Sequence, residues 1–337
     1  MNNIINIYPY NKKSRKNSNN LLDIEKYLSN FYESKSLVLG SARAGIYQAL
    51  KVFNLSRRDH ILVPDFLCQS ILNIINTTGF PVKYLDKKTK AVLLLHQWGY
   101  PQDMDKILPI IKENNLFIIE DCAHGFSSKY KGKTIGTFGD LAVFSFSKMF
   151  PTYTGGALIS KNRELINIIK ENRNKKNNIH NKLFNILATK TAKKSFNEKK
   201  WRSILDIIYL KSVNYPNASK KSINLMPKNI DDFSELLNNR NKNYSYIIKN
   251  IKQEYLIPDL DKSIESSPMA IPVFIQLDKL NLAQEKLKQK NIEAEILHFD
   301  INRNMFNPDY RKCLAIPCHQ NLNINQLNNI NNIINKI

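Results

Sequence analysis

The chain has 337 residues, of which 42% are hydrophobic, and carries 50 Lys and Arg against 29 Asp and Glu, for a formal net charge of +21. This size and apolar content support a substantial core and exclude a disordered or collagen-like chain. No segment approaches the roughly 18 to 20 apolar residues of a membrane helix, and the opening MNNIINIYPY has too short an apolar run for a secretory signal, so a soluble, cytoplasmic protein is expected.

From residue 36 to about 160, short apolar runs alternate with amphipathic helical stretches. SARAGIYQALKVF predicts a helix with Ser41 as N-cap and Ile46, Ala49, Leu50 and Phe53 at helical spacing. HILVPDF reads as a buried strand punctuated by Pro64, QSILNIINTTG as a helix closing on Gly79, and PVKYLD and KAVLLLH as strands. DMDKILPIIKENN is helical despite Pro109, and LFIIED and LAVFSF are further strands. Strands separated by helix-length segments imply parallel pairing through right-handed crossovers, hence an open α/β sheet with its ligand site at the carboxyl ends of the strands. His96, Asp121 and Lys148 are the polar groups at those ends.

From 170 to 202 the composition changes, with eleven Lys or Arg against Glu171 and Glu198. Such a run reads as a solvated face, with attraction of an anionic substrate as the lesser reading. After Pro227 a mixed helix and strand pattern resumes, and a smaller domain is placed at residues 222–337, following a larger one at 1–221 that ends in a basic variable segment, 170–221.

The net charge by itself would suit nucleic acid. Lys, Asn and Ile are, however, enriched together along the whole chain, as AT-rich codons produce, and no RNP, zinc-finger or basic-zipper pattern accompanies them. Nucleic acid is therefore not expected as a partner, whereas an anionic small molecule would benefit from the field. Cys68, Cys122, Cys313 and Cys318 lack paired spacing and read as small hydrophobes. Cys313, Cys318 and His319 lack the second close pair of a zinc site, and no metal is expected.

In FSFSKMFPTYTGG, Lys148 stands at the end of a buried strand, unlike the lysines of the polar runs. A lysine condenses with an aldehyde once desolvation or a neighbouring cation yields the free amine. Asp121, also at a strand end, is costly to bury unless it meets a cation, and the protonated pyridine nitrogen of pyridoxal phosphate would be one. The backbone amides of Ala42 and Arg43 open a helix, where phosphate binds, although an ordinary capped helix would look the same.

Taken in order, SARAGIYQAL, HILVPDFLCQSI, LLLHQWGYPQDMD, FIIEDCAHGFSSKYKGKTIGTFGD and VFSFSKMFPTYTGGALIS resemble the successive motifs of the DegT/DnrJ/EryC1/StrS aminotransferases. LAIPCHQNLNINQLNNI resembles that family's closing segment. The resemblance implies aminotransferase fold type I: a mostly parallel central sheet flanked by helices, with a smaller C-terminal α+β domain. It implies pyridoxal 5'-phosphate as cofactor, with Lys148 as the lysine that forms the Schiff base and Asp121 at the pyridine nitrogen. His124 occupies the place where the family usually has Gln, and it could equally be a hydrogen-bonded histidine without catalytic duty. Ser41, Ala42 and Arg43 correspond to the family's phosphate anchor, and Ser145 to its serine before the lysine. Cys68 takes the position of the usual stacking aromatic, with Phe66 as a nearby substitute or a core residue.

The sequence also departs from the family pattern. SFSK has one residue between SF and the lysine where the family commonly has three. The stretch whose asparagine reaches the neighbouring subunit's phosphate is represented by NLMPK at Asn224, with Met226 in place of arginine. By resemblance, the function is amino transfer from a donor such as glutamate to a nucleotide-linked keto sugar, in a homodimer with shared active sites. Dehydratase-like sugar chemistry and a non-catalytic binding homologue are the alternatives; family dehydratases replace the lysine with histidine.

Overall fold

Helix α1 (Leu21–Tyr32) begins at Asn20, whose side chain accepts the Leu22 N–H, and ends at Glu33 in the left-handed region, so the chain turns back into strand β1 (Lys35–Leu39). The structure is a computed structural model and describes residues 5–9, 18–175, 179–195, 200–214, 217–258 and 264–337. Ser41 caps α2 (Ala42–Val52) as its sequence predicts, the hydroxyl accepting the Ala44 N–H at 3.1 Å. Then follow β2 (His60–Leu62), α3 (Gln69–Ile75), β3 (Phe80–Val82), β4 (Thr89–Leu95), α4 (Met104–Glu113) and β5 (Phe117–Asp121). Strand β3 lies earlier than the expected PVKYLD, because Asp86 is drawn into a turn by Thr89 and by His60. Pro109 is accommodated inside α4 on its exposed side, and the carbonyl that it leaves unpaired belongs to exposed Asp105, where water can satisfy it.

A small hairpin, β6 (Lys129–Tyr130) and β7 (Lys133–Thr134), leads into β8 (Leu141–Ser145), the single turn α5 (Phe146–Met149) and β9 (Gly156–Ser160). Among the described residues, seven strands form the central sheet in the order β1-β9-β8-β5-β4-β2-β3. The pairs from β3 through β8 are parallel, while β9 is antiparallel to both β8 and β1. The reversal has a simple cause: residues 146–155 are too short a connection for the crossover that a parallel pair needs. The expected mostly parallel α/β sheet is thus present, with β1 and β9 as an antiparallel margin that the strand pattern does not reveal.

Beyond the sheet come α6 (Arg163–Lys175), α7 (Ile179–Ser195), α8 (Lys200–Ser212), α9 (Lys220–Ile223) and α10 (Ile230–Asn250). Strand β10 (Ile264–Glu265) extends the β6–β7 hairpin, and β11 (Ala270–Val273), α11 (Leu280–Gln289), β12 (Glu295–Asp300), β13 (Tyr310–Pro317) and α12 (Ile324–Asn335) complete the chain. Strand β13 lies antiparallel between β11 and β12, forming the small C-terminal sheet. One apolar cluster runs from Ile7 to Ile334 and includes Phe126, Phe144, Phe150 and Phe233. Fully buried Arg240 adds a polar tie, donating to the carbonyls of Pro268 and Met149 and to Gln320.

The basic stretch is not wholly a solvated face. Arg173 is buried, pairs with Glu25 and donates to the Val38 carbonyl at 2.9 Å, so this cation anchors α6 to α1 and β1. Lys176, Glu198 and Lys199 lie outside the described residues. No helix among the described residues is long and apolar enough to cross a membrane.

Candidate active site

The parallel strands β4, β5 and β8 end side by side, with Leu95 paired to Asp121 and Asp121 paired to Val143. A cavity of 570 Å³ opens at this edge, within the size range of small-molecule sites. Of the residues singled out from sequence, Ser41, Ala42, Arg43, Phe66, Asp121, His124, Ser145 and Lys148 border it, and Asn224 does not. The Asn224 Oδ1 is instead buried without a partner among the described residues, and Met226 is packed entirely into the core.

Lys148 is carried into the cavity by the turn α5, immediately after β8. Its Nζ lies 2.6 Å from Nε2 of His124, whose Nδ1 accepts the backbone N–H of Trp98 at 3.0 Å. Burial lowers the Lys148 pKa, and Arg43 lowers it further, against the opposing pull of Asp121 and Cys68. Burial holds the His124 pKa well below its ordinary value, and a charge on Lys148 would lower it further. Asp121 is 4% exposed and accepts the Ala123 N–H at 3.0 Å. Desolvation raises its pKa, only partly countered by the Lys148 charge and the Ala123 N–H. Asp121 and Lys148 thus border one cavity without closing into an ion pair, so the buried carboxylate still calls for a cation.

The start of α2 forms another part of the wall, where helix geometry leaves N–H groups without intrahelical partners. Strand β9 approaches so closely here that a Cβ on Gly156 would lie 2.6 Å from the Ala42 nitrogen and 2.8 Å from the Ser41 carbonyl carbon. Gly155, with φ +103, also borders the cavity and donates its N–H to the Gly40 carbonyl at 2.8 Å. Arg43 meets Asp206 of α8 at 3.0 Å, so a helix of the basic segment reaches the cavity at the start of α2. Ser145 lies 3.5 Å from Ser147, Oγ to Oγ, and both border the cavity. Between two candidates for the stacking position, the structure distinguishes environments. The Phe66 ring is stacked on His298 at 4.8 Å and 15° and stands edge-on to Tyr310, whereas Cys68 faces the charged end. Burial would raise the Cys68 thiol pKa, but the bond to Ser70 and the charges of Arg43 and Lys148 hold it below its usual value.

His96 corrects the expectation drawn from strand ends. It is fully buried and absent from the cavity wall: Nδ1 accepts the Gln102 N–H at 3.1 Å, so Nε2 donates to Glu120 at 3.0 Å. Glu120 also accepts N–H groups from Gly136, Phe138 and Gly139 at 2.6–2.7 Å. His96, Glu120 and Cys122 lie close enough to suggest metal ligands, yet the His and Glu donors and acceptors are already paired within the protein. Their geometry is that of a structural network behind Asp121.

The described donors suit pyridoxal phosphate: an enclosed amine for its aldehyde, a buried carboxylate for its ring nitrogen, and a helix start with Arg43 for its phosphate. The glycine at 156 lets strand β9 pack directly against that helix start. Sequence reasoning missed Trp98, Ser147 and Asp206. Trp98 acts on His124 through a backbone group, Ser147 lies within the motif beside the two residues singled out, and Asp206 is an acid within the 170–221 segment read as basic and variable.

Comparison with known proteins places these features in context. Residues 82–334 match the model of the DegT/DnrJ/EryC1/StrS aminotransferase family. The chain is 32% identical over 166 residues to GDP-perosamine synthase of Escherichia coli O157:H7, a match that spans 42% of this chain and 46% of the synthase. It is 26% identical over 322 residues to an uncharacterised protein of Methanocaldococcus jannaschii, covering 86% and 78% of the two chains. Among solved structures, a putative sugar aminotransferase from Streptococcus pneumoniae in its PMP-form shares the fold with a TM-score of 0.69 at 17% identity, over 96% of this chain and 92% of that one. At that identity the likeness shows the fold alone.

Proposed function

The chain belongs to the DegT/DnrJ/EryC1/StrS aminotransferase family, and on that premise we propose that it is a pyridoxal-phosphate-dependent aminotransferase acting on a nucleotide-linked keto sugar. The observation that carries this reading is the convergence of Lys148, Asp121 and the start of α2 on one cavity. The name of the perosamine synthase relative supports a nucleotide sugar, and a donor such as glutamate follows by analogy.

Pyridoxal phosphate, when bound, supplies an electron sink for the negative charge that develops at the carbon bearing the transferred nitrogen. The chain's own residues provide the rest. The N–H groups at the start of α2, with Arg43 and the Ser145 hydroxyl, bind and orient the phosphate. The Asp121 carboxylate would hold a proton on the ring nitrogen, since a buried carboxylate and a nearby cation stabilise each other. Lys148 Nζ accepts and returns a proton as general base and acid, a task for which its lowered pKa suits it. His124 orients that amine. Phe66 and Trp98 contribute apolar surface to the cavity wall.

The same proposal includes a cytoplasmic homodimer with shared sites, in which Asn224 reaches the neighbouring phosphate, and a division of the chain at residues 1–221 and 222–337. Incubating the purified protein with glutamate tests the reaction. The visible absorbance should fall while one equivalent of 2-oxoglutarate forms, and a nucleotide keto sugar from a panel should restore it as the amino sugar appears. Absorbance that neither glutamate nor any other amino acid changes would contradict amino transfer.

A further inference from the structure

We infer that the proton shared by His124 and Lys148 belongs to His124: the imidazole is protonated on Nε2 and donates to Lys148, which is held as the free amine. The functional meaning of this arrangement rests on the aminotransferase reading, whereas the arrangement itself rests on geometry.

A backbone N–H can only donate. The Trp98 N–H points at His124 Nδ1 at 3.0 Å, so Nδ1 must present a lone pair, and a neutral ring then carries its proton on Nε2. Nε2 lies 2.6 Å from Lys148 Nζ. An ammonium there would set two donors against each other, while an amine offers the lone pair that Nε2–H needs. The opposite tautomer would let an ammonium donate to Nε2, but it would place Nδ1–H against the Trp98 N–H. An imidazolium would set Nδ1–H against the Trp98 N–H in the same way, whatever the state of the lysine.

The donor that decides the matter is held in place at a cost. Trp98 adopts φ 54 and ψ 14, a left-handed conformation that a bulky residue disfavours and that persists only where the surroundings over-determine it. Here they do. The Trp98 ring is 5% exposed and packs 5.2 Å from Phe299, and its carbonyl accepts the Met269 N–H at 2.8 Å. The next residue, Gly99 with φ +93, lies so close that a Cβ would come within 2.6 Å of the His124 carbonyl oxygen. The turn therefore clamps His124 from both its ring and its backbone.

The charged groups around the pair act in opposite senses. Asp121 from β5 and Cys68 ahead of α3 favour the ammonium, while Arg43 from α2 and burial disfavour it. Asp206 and Glu295 border the same cavity. The bond from Nε2–H stabilises the neutral amine directly, so Lys148 meets an aldehyde without first losing a proton.

The test uses the full chain freed of cofactor and labelled with ¹⁵N-histidine and ¹⁵N-lysine. His124 Nδ1 should show the shift of a lone-pair nitrogen and Nε2 that of a protonated one at pH 7 to 8, with Lys148 Nζ as an amine. Competitive labelling with 1-fluoro-2,4-dinitrobenzene gives a second readout. An ordinary lysine loses about tenfold in free amine per pH unit below its pKa, whereas Lys148 labelling should change by less than about twofold from pH 8 to pH 7. His124→Gln, which retains an N–H donor, should keep the flat profile. A proton on Nδ1, an imidazolium at pH 7, or a tenfold fall in Lys148 labelling would overturn the inference. A protein with this proton arrangement that takes up no pyridoxal phosphate would refute the aminotransferase reading alone, and an active enzyme with Nδ1-protonated His124 would refute the inference alone.

Discussion

Replacing Glu120 by Gln probes the network that supports the strand end carrying Asp121. Glu120 is fully buried, and its two oxygens accept four donors: Phe138 and Gly139 N–H on Oε1, Gly136 N–H and His96 Nε2–H on Oε2. A glutamine keeps one oxygen and substitutes an NH₂ for the other. Whichever way the amide is turned, two of the four donors face another donor. Each buried donor left unsatisfied costs about 1–3 kcal/mol, so Glu120→Gln should lose about 2–6 kcal/mol. That is a large share of the roughly 5–15 kcal/mol that stabilises a typical domain. Urea unfolding of the cofactor-free protein, followed by circular dichroism, reads the loss as a lower midpoint. A loss below about 1 kcal/mol would mean that Glu120 does not bear these four bonds together, and would remove the structural explanation for His96 and its neighbours.

Gly156→Ala places a Cβ against the Ala42 nitrogen, so it should weaken pyridoxal phosphate binding by displacing the start of α2; equilibrium titration of cofactor absorbance measures this, and unchanged affinity would exclude that helix start as the phosphate site. Arg173→Leu leaves Glu25 buried without its cation and should cost about 3–5 kcal/mol in chemical unfolding, whereas a loss under about 1 kcal/mol would return Arg173 to the solvated face that its sequence context suggests. His319 is buried, its pKa pushed down to about 3, so the unfolded chain binds a proton there that the folded one refuses. That contribution is intact above the ordinary histidine pKa and is lost as pH falls from about 6.5 toward 3, at up to about 1.4 kcal/mol per pH unit. The pH slope of stability should therefore be shallower in His319→Gln over that window, and identical slopes would refute the assignment.

The architecture was legible where local pattern and tertiary outcome coincide. Ser41 precedes an amphipathic run and caps it, and Asp121 closes an apolar strand that the sheet buries. The antiparallel β9 was not, because an apolar run does not encode strand direction; the short connection after α5 decides it. His96 and Asp121 look alike from sequence, each a polar group ending a strand. They separate only through register, which sets Leu94 beside Glu120 and so provides His96 with a buried acceptor, while Asp121 turns into the cavity. The Trp98 N–H could not be read at all. It depends on a left-handed backbone in a residue whose type disfavours it, held by packing against Phe299 and by the Met269 N–H on its carbonyl. Asp206 was obscured by its setting, since its role beside Arg43 depends on α8 folding back over α2 and α3.

The identity of the lysine that holds the cofactor is the central point to test. Treating the purified, coloured protein with borohydride and sequencing its peptides by mass spectrometry should abolish the visible band and leave one reduced pyridoxyl phosphate adduct, on Lys148. An adduct on any other lysine, or a band that survives because no lysine is linked to the cofactor, would contradict the assignment to Lys148.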